Sequence, residues 1–168
     1  MDAVHALTAG LDEVRGVVHG TVTGLTADQL CARPGPQANT VAWLVWHLTR
    51  VLDDHVAPPL GREQVWFARG WVERLGFPFP PPDDGYGHSP DDVAAVRVED
   101  GGELLEYFDA VHVHTLEMLD GVGPEQLDHP VSTPHGPVPL GSRLVRTFVD
   151  VTQHAGQAAF VRGLVVAR

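Results

Sequence analysis

The sequence predicts an all-α protein, a four-helix bundle with a long crossover between its second and third long helices. Three observations carry that reading. Four stretches repeat apolar residues in steps of three and four, the spacing of a helix with one buried stripe. No segment sustains the strict alternation of a half-buried strand. Pro58-Pro59 stops the second stretch, and the proline cluster from Phe77 to Pro82 rules out regular structure in the long connection after it, as expected for a residue that breaks helix interiors. At 168 residues the chain can bury a core without disulfide staples, so residues 1–168 read as one domain.

The first helix runs from Asp2 to about His19, with Val4, Leu7, Leu11, Val14 and Val18 on its buried stripe. Gly20 and Gly24 mark its end. Thr26 to Leu30 reads as a short capped turn, and Arg33-Pro34-Gly35-Pro36 as a loop. Asn39-Thr40 is a good start for the second helix, which extends to about Val56 before Pro58-Pro59 stops it. Leu44, Val45, Leu48, Val51 and Leu52 form its core face. His47 lies on that apolar face, whereas Arg50 and Asp53 fall on the expected polar side. A lone histidine so placed is either a satisfied core residue or a ligand.

Residues 61–88 are the crossover. Glu63 to Leu75 reads as an irregular helix carrying Trp66, Phe67 and Trp71, and Phe77 to Pro82 is too proline-rich for regular structure. Asp83-Asp84-Gly85-Tyr86-Gly87 is a turn-rich loop. A connection this long either lines a pocket or merely joins distant helices. Ser89-Pro90 opens a short helix to about Val98, with proline at its first position and acids in its first turn. The third long helix spans Glu103 to about Leu119. Its His112 and His114, two apart, point in different directions and are expected at the surface or rim. Gly121 to Gly141 is a loop with a small β-like turn around His135-Gly136. The last helix runs from about Leu140 to Val166, capped near Gly141-Ser142.

Composition removes several function classes. The net charge is −11, and the 11 basic residues are all arginine. A phosphate-backbone binder gains affinity by displacing counterions with basic side chains, and this chain has the wrong sign for that. Without lysine there is no P-loop. The single Cys31 forms no intrachain disulfide, which points to a reducing compartment. The N-terminus lacks the basic start and apolar run of a signal peptide, and the apolar run 41–46 is too short to span a bilayer. The expectation is a cytoplasmic protein that contacts neither nucleic acid nor membrane. There is also no Gly-x-Ser-x-Gly elbow.

On the last helix, Arg143, Thr147, Asp150, His154 and Gln157 form one polar stripe on an otherwise apolar cylinder. Asp150 and His154 are four apart and so share a face, about 40° apart. The stripe is either the helix's solvent face, with an ordinary i, i+4 pair, or the wall of a cleft. In the second case Asp150, His154 and the inward His47 meet as a two-histidine, one-carboxylate set. Three protein ligands with open positions are how catalytic metal sites leave room for water or substrate. No catalytic side chain beyond the ligands is indicated. Asp54, seven residues after His47 and on its stripe, and Gln157 are candidates for supporting or rim groups.

At these residues the chain resembles the DinB-like (damage-inducible) four-helix-bundle family, in particular its thiol-dependent transferase branch. The resemblance rests on Asn39-Thr40-Val41-Ala42-Trp43-Leu44-Val45-Trp46-His47-Leu48, on Thr133-Pro134-His135-Gly136-Pro137, and on His154-Ala155-Gly156-Gln157. It implies an up-down-down-up bundle, often a homodimer, with a divalent metal held by His47, Asp150 and His154. The family usually has histidine where Asp150 stands, with an acid in some branches, and arginine where Ala155 stands. An aspartate adds hardness to the set and bears on the choice among Zn, Ni, Mn and Fe(II). The implied activity joins a low-molecular-weight thiol to an electrophile. Absent Lys and Ile and a lone Asn39 suggest GC-rich coding; if the source is an actinobacterium, the implied thiol is mycothiol. A reading from another class is a non-catalytic bundle that binds a metal or small molecule, or a dimeric interaction protein.

Overall fold

The structure is a computed structural model that describes residues 2–167. Among the described residues eight α-helices follow one another: α1 (Ala3–Val22), α2 (Ala27–Leu30), α3 (Val41–Val56), α4 (Val65–Ala68), α5 (Trp71–Leu75), α6 (Pro90–Ala95), α7 (Gly102–Asp120) and α8 (Leu140–Val166). The long ones, α1, α3, α7 and α8, form the four-helix bundle. Two 3-10 turns (Pro58–Leu60, Pro124–Asp128) and a two-stranded antiparallel hairpin complete it, β1 (Pro130–Val131) paired with β2 (Val138–Pro139).

Caps fix where the helices begin. Asp2 accepts the His5 N–H at the start of α1, and Thr40 accepts the Trp43 N–H at the start of α3, each satisfying one donor that the first turn leaves unpaired. Thr26 with Gln29, and Ser89 with Asp92, form reciprocal capping boxes on α2 and α6. Pro90 occupies the first turn of α6, where its missing N–H costs nothing. The cap expected at Gly141-Ser142 is absent: α8 starts at Leu140 with no side-chain cap. The hairpin brings a backbone partner instead, and the Leu140 N–H donates to the His129 carbonyl at 2.9 Å.

Cross-helix contacts give the direction of each helix. Arg15 and His19 of α1 reach Asp109 of α7, while Asp12 faces His112, so α1 and α7 are antiparallel. Gly10 lies against Phe148 and Thr21 against Arg162, so α1 and α8 are parallel. His47 meets His154 and His55 meets Thr147, so α3 runs against α8. The result is up-down-down-up, in which the two consecutive parallel helices α3 and α7 require the long crossover.

α3 departs most from expectation. Its apolar stripe (Leu44, Leu48, Val51, Leu52) packs into the bundle, but Arg50 and Asp53 on the supposed polar side are 0% and 1% exposed. The crossover covers that side. Arg50 Nη1 lies 3.6 Å from Asp53 Oδ2, and the Asp53 carboxylate accepts the backbone N–H groups of Val65 and Trp66 at 2.9 and 2.8 Å. Tyr107 of α7 donates to the same carboxylate at 3.3 Å, and Gln64 accepts from Arg50 at 3.0 Å. A buried charge pair persists only when its remaining donors and acceptors are also satisfied. Burial pushes the Asp53 carboxyl up, opposed by the two N–H groups and Arg50.

Other expectations are corrected locally. His112 is 4% exposed rather than a rim residue, because α1 covers that face of α7. The irregular helix at 63–75 is two short helices, α4 and α5, broken at Gly70, whose φ of +67° ends one and starts the other. α1 continues three residues past His19 to Val22, packing Thr21 and Val22 into the core. Cys31 is half-buried, with Sγ 4.0 Å from the Val98 carbonyl. Among the described residues no helix is long and apolar enough to cross a membrane.

Candidate metal centre

The seam between α3 and α8 brings the predicted residues together. One ligand atom from each of His47, Asp150 and His154 falls in a group whose members all lie within 4.8 Å of one another. The two imidazole rings meet edge to face with centroids 4.7 Å apart, and His154 Nε2 is 3.7 Å from Asp150 Oδ2. The polar stripe of α8 is therefore neither plain solvent face nor core. Thr147 is 1% exposed, while Asp150 and His154 lie at the edge of the seam, partly open to water.

Each ring is held so that one nitrogen remains free. His47 Nδ1 hydrogen-bonds to the Asp84 carbonyl. A carbonyl only accepts, so Nδ1 carries the proton and Nε2 keeps its lone pair. His154 Nδ1 bonds to Gln157 Oε1 at 2.9 Å, which assigns the same tautomer when the amide oxygen faces the ring. Asp150 Oδ2 is sheltered and has no hydrogen-bond partner. An orphaned carboxylate oxygen beside two free imidazole nitrogens suits a divalent cation, and outer hydrogen bonds of this kind normally orient metal-binding histidines. Burial lowers the pKa of His47, partly opposed by its bond to Asp84, so the neutral, metal-competent form prevails near pH 7.

The crossover builds the wall behind His47, a role the sequence left undecided. Trp43 stacks on His47 at 4.6 Å and 15°. Its indole N–H donates to His88 Nδ1 at 3.1 Å, and His88 Nε2 donates to Asp83 Oδ1 at 3.0 Å. Asp83 also accepts the Gly85 N–H at 2.7 Å, and its carbonyl accepts from Arg50 Nε at 3.3 Å. Hydrogen bonds thus tie the buried Arg50 to Asp83, the residue next to the one whose carbonyl aims His47, and Asp83 through His88 to Trp43. Gly85 has φ +91°, and a Cβ there would lie 3.0 Å from the Trp46 ring and 3.1 Å from both His47 Nδ1 and the Trp43 ring. Only glycine fits that approach. Trp43, Asp83, Asp84, Gly85 and His88 were missed from sequence. Trp43 stood unremarked inside the 39–48 motif, and the one visible signal of the other four was a turn-rich stretch at the end of an unusually long connection.

Asp54 lies outside the ligand set. It accepts from Gln64 Nε2 at 2.9 Å and belongs to a second group with His55 and Asp84. Its link to His47 is indirect, through the residue whose carbonyl holds the ring. Arg143 shares that neighbourhood: burial is the main cause lowering its pKa and that of His55, while Asp54 pulls Arg143 back up. Gln157, by contrast, touches His154 directly. Ala155 is 2% exposed and faces the core rather than the seam.

The comparisons agree with this architecture. The family model described as Mycothiol-S-transferase matches residues 6–167. A crystal structure described as the conserved protein of locus from Enterococcus faecalis superposes with a TM-score of 0.91, at 27% identity, covering 100% of this chain and 99% of that one. Among curated proteins none matches the chain. A bundle of this topology, matched over almost its whole length, places the chain in the DinB-like Mycothiol-S-transferase family.

Proposed function

We propose that the protein is a metal-dependent S-transferase that joins a low-molecular-weight thiol, mycothiol by its family, to an electrophile. His47, Asp150 and His154 are the residues that would hold the divalent cation, with Gln157 supporting His154. The observation that carries this reading is the grouping of one ligand atom each from His47, Asp150 and His154 within 4.8 Å of one another at the α3–α8 seam, where an Asp150 carboxylate oxygen is orphaned. The family match supports the thiol as cosubstrate. When bound, the cation supplies a Lewis-acid centre that lowers the pKa of a nearby thiol.

The chain's own residues orient and shelter. Asp84 and Gln157 fix the two histidine tautomers, Trp43 covers one face of His47, and the half-open edge at Asp150 admits substrate. The reaction class is S-alkylation: the thiol loses its proton to water, sulfur forms a bond to the electrophilic carbon, and the leaving group departs with its bonding electrons. Zn is the first cation to test, followed by Ni, Mn and Fe(II). We further propose one domain over residues 1–168, a cytoplasmic setting, and a homodimer that covers Val145 and Val149, exposed one turn apart on α8.

The test is to load the purified protein with each cation, measure stoichiometry, and follow loss of mycothiol against a panel of electrophiles. Near-stoichiometric metal and thiol consumption above the metal-only background are expected. Stoichiometric metal with no conjugate from any pair would leave a non-catalytic metal-binding bundle. Failure to bind any of the four cations would remove the site itself.

A further inference from the structure

A second concave surface lies beside the metal centre. It is a groove of about 670 Å³ between the loop 34–39 and the C-terminal half of α8, within the range of small-molecule sites. Ala38, Leu44, Phe160, Val161 and Leu164 supply its apolar wall. Phe160 and Leu164, one turn apart on α8, are 70% and 40% exposed, an apolar patch rimmed by polar residues of the kind that marks interaction sites. Its polar lining consists of three neutral amides, Gln37, Asn39 and Gln157, and no charged side chain lines it.

The groove adjoins the metal centre through Gln157, which lines it and is also the residue bonded to His154, and Leu44 lies three residues before His47 on α3. The opposite end of the seam is different in kind. There a pocket of about 480 Å³ is lined by Asp54, Ser132 and Arg143 together with several prolines. The metal centre therefore sits between an apolar, uncharged groove and a charged pocket.

We infer that the α8 groove holds the neutral, apolar body of the electrophilic cosubstrate, an alkyl or aryl group, with its reactive carbon directed toward His154. The assignment rests on the transferase reading above. Apolar walls without charge repay burial of hydrocarbon and leave carboxylates or multiple hydroxyls unsatisfied. A thiol bearing such groups fits the charged pocket better, and the net charge of −11 further disfavours an anionic occupant of the groove. The three amides can bond a single carbonyl or ether on an otherwise apolar molecule.

Two measurements on the full chain test this. The first titrates N-phenyl-1-naphthylamine, a neutral unreactive fluorescent probe, into wild type, Phe160→Asp and Leu164→Gln, with metal stoichiometry measured in parallel. Saturable 1:1 binding is expected, weakened at least ~10-fold by Phe160→Asp, about the effect of removing one buried apolar side chain, with metal content unchanged. The absence of saturable binding, or equal binding by both variants, overturns the groove. The second follows thiol transfer to straight-chain alkyl halides of rising length. kcat/KM should climb by roughly three- to fourfold per methylene until the groove is filled.

A flat or falling series while transfer proceeds overturns the groove and leaves the transferase reading intact. Probe binding with no transfer from any thiol overturns the occupant's assignment as a cosubstrate, because the transferase reading then fails first. Probe affinity that falls as protein concentration rises shows a second copy seated in the groove, which also overturns the proposal.

Discussion

Gly85 and His154 sit on either side of the metal centre and are expected to fail differently. At Gly85 an alanine must adopt φ +91° and press a methyl against Trp46, Trp43 and His47. Gly85→Ala should cost about 1–3 kcal/mol in urea unfolding and weaken metal binding. Unchanged stability and metal affinity would show that the loop does not aim His47. His154 is at the partly open edge of the seam, hydrogen-bonded among the described residues to Gln157. His154→Ala should lose bound metal with far-ultraviolet circular dichroism unchanged. Retained stoichiometry would remove His154 from the ligand set, and loss of helix would make its role structural.

At the scale of elements, the relation of α3 to the crossover decides whether the site exists. α3 has no solvent face, because α7 and α8 pack one side and residues 64–88 the other. The tie is the Arg50–Asp53 pair, whose carboxylate also receives the first N–H groups of α4. Asp53→Ala should cost about 3–5 kcal/mol, since it leaves a buried guanidinium without its counter-charge and two backbone donors unpaired. Replacing both partners at once, Arg50→Met with Asp53→Leu, should cost less than the single change. Denaturant midpoints for the two variants check this. A loss of under ~1 kcal/mol for Asp53→Ala would mean that the crossover is held by its aromatic contacts alone.

For the whole molecule, pH and metal both act on stability, and His47 is the one residue common to the two. His47, His55 and His112 all have pKa values lowered chiefly by burial. The unfolded chain takes up protons near pH 6.5, where the folded one resists them. In that window the unfolded state binds more protons, so stability rises with pH and is lost on acidification. Metal-free protein should therefore hold a constant thermal midpoint above about pH 7.5 and lose it below about 6.5. A midpoint that rises on acidification would contradict the burial of these rings. A cation present at a hundredfold excess over its Kd should stabilise by about 2.7 kcal/mol, or ~5–10 °C. This shift should vanish in His154→Ala.

Helix periodicity, the absence of strand alternation and the proline stop after the second helix were local features, so the sequence alone determined the four long helices and the long connection between the second and third. His47 on an apolar face and the i, i+4 pair Asp150–His154 were likewise legible, because helical geometry converts spacing directly into direction. What the periodicity could not tell was which faces are covered. A solvent face and a face wrapped by a distant loop carry the same polar residues, so Arg50, Asp53 and His112 read as exposed and proved buried. Nor could spacing reveal Asp83, Asp84 and Gly85 as the support of His47. Their function depends on a carbonyl and a backbone angle, and neither leaves a side-chain signature. Tertiary structure alone decided that the α8 stripe borders a seam rather than open water, since that depends on which helix lies opposite.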